Sequence, residues 1–309
     1  MIPVAPVLQL RPLQAGEREI LVGPLNEALL QAPFSSPFHT ATLHEQLLAP
    51  APPTLLPVRW QRHLRLCAWR ARRLEGFADI AVGLDSDSAD RPDYQPLGLL
   101  RFLLLINAER ANEVAAALLA AAEEFWQKTG VAQVKAFHHS TGYPSFQAGL
   151  GALPGDWAEV IRVLTGVGYH FTERFYLFSR PLDQPIEEIT PLAELSLVYD
   201  GTRSDRLYQL YRRMDRIGTA RLVTIDLDTP NGVVTVAKLV HLEVDSVWQG
   251  QRIGKWLLKR IINDCTIQGQ RQLLAHVPHG RHVAISLFNQ LGFEELNYRG
   301  YTLEKRLTQ

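Results

Sequence analysis

The sequence predicts an α/β (α+β) fold built from two tandem copies of one mixed-sheet unit with flanking helices. Three observations carry that expectation. Apolar runs of strand length alternate with longer segments of helical periodicity along the chain. The stretch Ile161-Arg-Val-Leu-Thr-Gly-Val-Gly-Tyr169 recurs as Ile285-Ser-Leu-Phe-Asn-Gln-Leu-Gly-Phe293 at an offset of 124 residues, with strand, helix and strand in the same order upstream of both. The chain has 309 residues, and a domain takes roughly 150, so the length fits two.

The elements follow in order. Val7–Leu13 reads as a short strand, with helices up to about Leu48, after which Pro50, Pro52, Pro53 and Pro57 break the chain. Leu64–Arg70, Ala78–Leu84 and Leu99–Ile106 read as successive strands, with a polar loop at Asp85–Pro96. Asn112–Gly130 is a helix rich in Ala and Leu with a glycine at its stop. A strand at Val134–His138, a Gly/Pro-rich loop at Ser140–Asp156 expected to run over the surface, a helix at Trp157–Val167 and a strand at Arg174–Phe178 close the first half. Prolines 181, 185 and 191 mark a linker, so the expected domains are 1–182 and 183–309. The second half opens with a strand at Leu195–Tyr199. Leu207, Leu210, Tyr211 and Met214 then fall at helical spacing and predict a helix over 203–216, whose Arg203, Arg206, Arg212, Arg213 and Arg216 read as a solvated face. A hairpin joins Leu222–Leu227 to Val233–Val244 around Asn231-Gly232. A helix at Ile253–Ile267, a strand at Gln272–Val277, a helix at His282–Leu291 and a strand near Tyr301–Glu304 finish the chain.

Composition excludes several function classes. Apolar residues make up 46% of the chain, enough for a buried core and against wholesale disorder. Lys+Arg and Asp+Glu balance at 32 each, which argues against nucleic-acid or anionic-lipid partners. The longest apolar runs, near Leu97–Ile106 and Val114–Ala122, are half of what a membrane span needs, about twenty residues. The first residues show no basic region before an apolar stretch, so no signal peptide is expected. Two cysteines, Cys67 and Cys265, cannot frame a disulfide scaffold and fit a reducing, cytoplasmic compartment. Oligomeric state is not readable.

The chemistry concentrates in Leu242-Glu-Val-Asp-Ser-Val-Trp-Gln-Gly-Gln-Arg-Ile-Gly-Lys255. A long alternating strand ends at Val244, a loop holds Gln249, Gly250, Gln251, Arg252, Ile253 and Gly254, and a helix begins inside it with Ile253, Leu257 and Ile261 on one face. Glycines let backbone turn tightly and approach a ligand closely. First-turn amides carry the positive end of the helix dipole and suit a pyrophosphate. The plain alternative is an ordinary strand-to-helix turn. A Walker loop fits worse, because Gly250 and Gly254 enclose three residues and Trp256 follows Lys255, and a dinucleotide fingerprint needs a third glycine.

These residues resemble the GNAT superfamily, the acyl-CoA-dependent N-acetyltransferases. Its loop reads Gln/Arg-x-x-Gly-x-Gly/Ala, preceded by Val and four spacers; here stand Val244, four spacers, Gln249 and Gly254, with Arg252 at the first glycine position. Leu-Gly-Phe at 291–293 also resembles the family. The first half looks like the same unit with its loop erased, since Asn107-Ala-Glu-Arg-Ala-Asn112 has no glycine. The resemblance is to tandem GNAT proteins with one working acetyl-CoA site. It implies that Gln249, Gly250, Gln251, Arg252, Ile253 and Gly254 offer amides to the CoA pyrophosphate, with Leu242, Val244 and Lys255 beside them. It implies that the Val244 backbone meets the pantetheine arm or the acetyl carbonyl.

The amine must lose a proton and the CoA thiolate must gain one. Glu243 and His241 share a face of the strand before the loop and are the candidate bases, Glu243 first; a polar, solvent-facing strand side is the alternative. The family's usual acid is a Tyr where this chain has Phe288. His276, His279 and His282 span a strand end, a turn and a helix start, so solvated loop histidines or a single proton relay are favoured over zinc, and no metal is expected. Trp126 and Trp157 read as core aromatics and Cys265 as packing. The expected activity is direct acetyl transfer from acetyl-CoA to an amine acceptor, a small molecule or a peptide. The alternative is a non-catalytic acyl-CoA-binding or scaffolding protein, which Phe288 favours.

Overall fold

The structure, a computed structural model, describes residues 7–56, 58–85, 96–139, 141–229 and 231–307. The first six residues, Pro57, nearly all of the loop expected at Asp85–Pro96, Ser140 and Pro230 lie outside them. In chain order the elements are β1 (Leu8–Pro12), α1 (Arg18–Leu29), α2 (Thr40–Leu43), β2 (Val58–Arg70), β3 (Arg73–Asp85), β4 (Leu97–Leu105), α3 (Ala111–Lys128), β5 (Gln133–Ala136), β6 (Leu153–Pro154), α4 (Ala158–Gly166) and β7 (His170–Pro181). They continue with β8 (Leu195–Gly201), β9 (Asp205–Arg212), β10 (Asp215–Thr229), β11 (Gly232–Val244), α5 (Ile253–Ile267), β12 (Gln272–Pro278), α6 (His282–Gln290) and β13 (Glu294–Arg306). No helix among the described residues is long and apolar enough to cross a membrane.

The chain divides into two compact units, Met1–Arg174 with Arg299–Gln309, and Phe175–Tyr298. The expected division at 182/183 falls inside the second unit, because β7 and β13 each run from one unit into the other.

In the first unit β1, β2, β3 and β4 form an antiparallel run, β5 joins β4 in parallel, and the later part of β13 pairs with β5. Helix α3 buries Val114, Leu118, Ala122 and Trp126 along one stripe, the last with its indole N–H donating to the Ala81 carbonyl at 3.0 Å. The loop expected on the surface after β5 is instead core: Tyr143, Phe146, Gln147 and Leu153 are all 1% exposed or less. Phe102, Phe146 and Trp157 pack as an aromatic cluster with centroids 5.4–5.8 Å apart. Aromatic burial overrode the Gly/Pro composition.

The second unit orders its strands β8-β9-β10-β11-β12-β7, antiparallel except for the parallel β11–β12 pair. The helix expected over 203–216 is absent. Residues 205–212 are β9, which buries Tyr208 and Leu210, two apart, while Met214 is 91% exposed. Both periods were present in the sequence; pairing with β8 and β10 selected the period of two. Helix α5 buries Ile253, Leu257, Ile261 and Cys265 against the sheet. Each fully buried Leu or Ile contributes roughly 1.5–3 kcal/mol.

The internal repeat is structural. Helices α4 and α6 share the 124-residue offset at both ends, and each stops at a left-handed glycine, Gly168 (φ 94°) and Gly292 (φ 74°). The following aromatic amide closes each helix: Tyr169 donates to the Leu164 carbonyl and Phe293 to that of Phe288, both at 3.1 Å. The recurring Gly-aromatic pair is therefore a helix stop.

Candidate functional site

The second unit opens a fork between β11 and β12. Their parallel pairing covers Ala237–Leu273, Lys238–Leu274 and Leu239–Ala275 and ends there, while both strands run on to Val244 and Pro278. A β-bulge lies at the same level: β10 pairs Leu222 with Leu239 and Arg221 with His241, leaving Val240 as the extra residue. The bulge shifts the alternation by one. Ala237 and Leu239 pack into the core under α5, and beyond the bulge so do Leu242 and Val244. His241 and Glu243 therefore share the opposite face with Lys238.

Beyond Val244 a 3₁₀ turn, Ser246–Trp248, leads into the loop. Gly250 (φ 78°) and Arg252 (φ 62°, ψ 9°) are both left-handed, and Arg252 is the N-cap of α5 without a side-chain cap. The resemblance puts a glycine where Arg252 stands, and the backbone takes up the glycine-type conformation despite the side chain. Strain of this kind costs on the order of 1 kcal/mol. The first helical bond is Trp256 N–H to the Arg252 carbonyl at 3.0 Å, so the amides of Ile253, Gly254 and Lys255 precede the ladder and point out of the helix end. No acidic residue sits in this first turn. A Cβ on Gly250 would meet nothing within 4 Å, and one on Gly254 would touch only Leu242 and Val244 side chains at 3.8 Å. The loop is thus open outward at Gly250 and packed inward at Gly254.

Gln249 takes a part other than the one expected. The Gln249 amide donates to the Ser246 carbonyl at 3.2 Å, so it is already engaged, and its side-chain amide donates to the Val244 carbonyl at 2.8 Å. Gln249 ties the strand end to the loop. Gln251 reaches the Val247 carbonyl at 3.4 Å, and the Lys255 ammonium donates to the Gln290 side chain of α6 at 3.0 Å. Glu243 and His241 are both exposed, with the His241 Nε2 3.3 Å from the Thr219 hydroxyl. Desolvation against the sheet lowers the His241 pKa, Arg221 adds to this, and Glu243 opposes it.

Arg212 and His276 stand in places that the sequence reading did not give them. The Arg212 guanidinium lies over the Trp248 ring at 4.8 Å, beside the loop rather than on a helical face. Reading 205–212 at period two would have found it. Arg203 and Arg206 line a pocket of about 410 Å³ with Tyr199, Arg260 and Asp264. The His279 and His282 rings lie 6.2 Å apart, while His276 points away from α5, between core residues Ala275 and Val277. Among the described residues no group of three or more His, Cys, Asp or Glu could hold a metal ion.

The first unit repeats the scaffold and fills it. Pairing of β4 with β5 ends at Leu100–Ala136, and the bulged residue there is Arg101, between Leu100 paired with Ile80 and Phe102 paired with Asp79. Arg101 is buried; it donates to Asp79 at 2.9 Å and to the Thr141 carbonyl at 3.0 Å, and the Tyr143 hydroxyl donates to Asp79 at 2.7 Å. The strand-to-helix loop is closed by Asn107, whose side chain accepts from the Glu109 amide at 3.1 Å. Glu109 and Glu113 lie in the first turns that follow and oppose an anion there.

Residues 173–293 match the family model described as the acetyltransferase (GNAT) family. Among curated proteins none matches the sequence. A solved tandem GNAT protein from the clavulanic acid biosynthesis pathway aligns with a TM-score of 0.64 at 14% identity, covering 98% of this chain and 99% of that one. A GCN5-related N-acetyltransferase from Sphaerobacter thermophilus aligns at 0.62 and 12% identity, over 97% and 95%. A glucosamine N-acetyltransferase region of a fungal multi-domain β-N-acetylglucosaminidase aligns at 0.71 and 12%, over 98% of this chain and 38% of that chain. At such identities the likeness is one of fold. Residues 173–293 therefore match the GNAT family model, and 98% of the chain shares its fold with a tandem GNAT protein.

Proposed function

We propose that the second unit transfers an acetyl group from acetyl-CoA directly to an amine acceptor, a small molecule or a peptide. The GNAT fold generally binds acetyl-CoA, and the observation that carries the reading is the juxtaposition of the β11–β12 fork with the open first turn of α5. The amides of Ile253, Gly254 and Lys255, with the Gly250–Arg252 turn, would hold the diphosphate, and Arg212 and Lys255 would add positive charge. The thioester end would then lie in the fork. A strand-end N–H aimed at the thioester carbonyl would stabilise the oxyanion, an effect of a few kcal/mol, and the fork would supply proximity. The Val244 carbonyl already accepts from Gln249, so that oxygen serves the loop rather than the substrate.

Glu243, or His241 beside it, is exposed to solvent and would take the first proton from the ammonium form of the acceptor. Direct transfer is supported by the thiols. Cys67 and Cys265 are free and buried, and burial pushes both pKa values up to about 12, so neither serves as a thiolate nucleophile. Two free thiols also fit a cytoplasmic protein, and the balanced charge fits a chain with neither nucleic-acid nor membrane partners. The filled fork of the first unit supports a single acetyl-CoA site.

A non-catalytic acyl-CoA-binding role is favoured by one observation: Phe288 stacks on Phe178 at 5.7 Å and packs edge-on to Phe293 at 4.7 Å, with no hydroxyl for the thiolate. Calorimetric titration with acetyl-CoA, followed by thiol release against an amine panel, separates the readings. Binding with turnover is expected. Binding without turnover on any amine supports the second reading, and absence of binding removes both.

A further inference from the structure

We propose that His276 is a catalytic residue that carries a proton from the attacking nitrogen to the departing sulfur. The proposal rests on the acetyl-transfer reading and supplies the proton donor that Phe288 cannot be.

Position comes first. His276 follows Ala275, the last residue of β12 paired to β11, so it is the first residue of β12 beyond the apex of the fork. Its ring lies on the face opposite α5, since Ala275 and Val277 on either side pack into the α5 core. Lys238, His241 and Glu243 of β11 share that face. Satisfaction comes second. Both ring nitrogens of His276 are buried and neither has a hydrogen-bond partner. A buried imidazole ordinarily bonds at least one nitrogen, and an unpaired ring at a strand fork is placed to meet a ligand there. Charge state supports this. Burial, and then Lys238, holds the His276 pKa well below its usual value, so the ring is neutral, with one N–H to give and one lone pair to receive.

The reaction has two protons to place. The ammonium form of the acceptor gives its first proton to the exposed Glu243 or His241, and thence to solvent. The free amine then attacks the thioester carbonyl, forming the C–N bond, and its nitrogen becomes positive. His276 takes the second proton from that nitrogen. As the C–S bond breaks, the electron pair leaves with sulfur, and the imidazolium returns the proton to the thiolate. The products are the amide and the CoA thiol, and the ring is neutral again. An exposed base suits the proton that leaves the protein, and a buried ring suits the proton that stays.

The test uses the full chain labelled with ¹⁵N-histidine, with His276→Gln assigning the His276 resonances. Saturation with CoA, confirmed by calorimetry, is expected to shift the His276 ring nitrogens, and acetyl-CoA to shift them differently. In thiol-release assays His276→Gln is expected to lower kcat at least 100-fold, within the usual range for general acid–base groups, while KM and Kd for acetyl-CoA stay within threefold. His276→Asn, checked by thermal melting, guards against a folding defect. Unmoved His276 resonances at saturation would overturn the proposal and leave the CoA site intact, as would an unchanged kcat. Absence of CoA binding would overturn the acetyl-transfer reading and this proposal together. If CoA binds and no amine turns over, the resonance shifts still decide whether His276 meets the sulfur end.

Discussion

Substitution at Gly254 separates the turn's geometry from its chemistry. A Cβ there would sit 3.8 Å from the Leu242 and Val244 side chains, an ordinary contact. Gly254→Ala therefore fits, and the gain of Ala over Gly in a helix is about 0.5–1 kcal/mol. CoA affinity should stay within threefold, because the new methyl faces the strand and not the open amides. Gly254→Phe aims in the same direction, where no space remains. Overpacking costs about 1–3 kcal/mol and pushes the helix start off the strand end. Loss of two charge-assisted amide bonds, each about 1.5–3 kcal/mol, amounts to at least a 100-fold loss of affinity at about 1.4 kcal/mol per tenfold. Calorimetry with CoA and urea unfolding read the two effects apart. The control is Asn107→Ala in the first unit, which removes the cap on Glu109, should cost about 1 kcal/mol of stability, and should leave CoA affinity unchanged. A folded Gly254→Phe variant with wild-type affinity would refute the reasoning, and so would an equal loss from Asn107→Ala.

Glu243→Gln should lower the rate at least tenfold with little change in acetyl-CoA Kd; an unchanged pH–rate profile would exclude it as the base. Asp79→Ala leaves the buried Arg101 without its carboxylate, and unfolding in urea should show a loss of about 3–5 kcal/mol. Lys238 is 2% exposed, and burial pushes its pKa from 10.5 down to about 7. Between those values the folded chain releases a proton that the unfolded chain keeps, so stability should rise as pH increases through that window and be flat below it. Lys238→Met should flatten the slope in urea titrations run from pH 7 to 10.

Legibility followed locality. The Val244–Gly254 turn, the α5 stripe and the two Gly-aromatic stops were readable because each is fixed by residues within a few positions of one another. The β9 strand was not, because Leu207, Leu210, Tyr211 and Met214 satisfy a helical period, and only the partners β8 and β10 select the other. The bulge at Val240 was equally hidden, since it is a property of a strand pair; Glu243 and His241 shared a face as expected, but their company with Lys238 depends on it. His276 read as one of three loop histidines until pairing placed it at the fork. The buried loop after β5 misled by composition, its glycines and prolines serving turns inside an aromatic core rather than a surface excursion.

The first unit takes its last strand from Arg299–Arg306, after the whole second unit has passed. During synthesis the early core must therefore wait with an unfinished sheet margin while Phe175–Tyr298 emerges. At about 5–20 residues per second that delay is roughly 6–25 s. Nascent chains in this interval expose the β5 edge to any passing strand, so slowing translation late in the message should raise the demand for chaperones more than slowing it early.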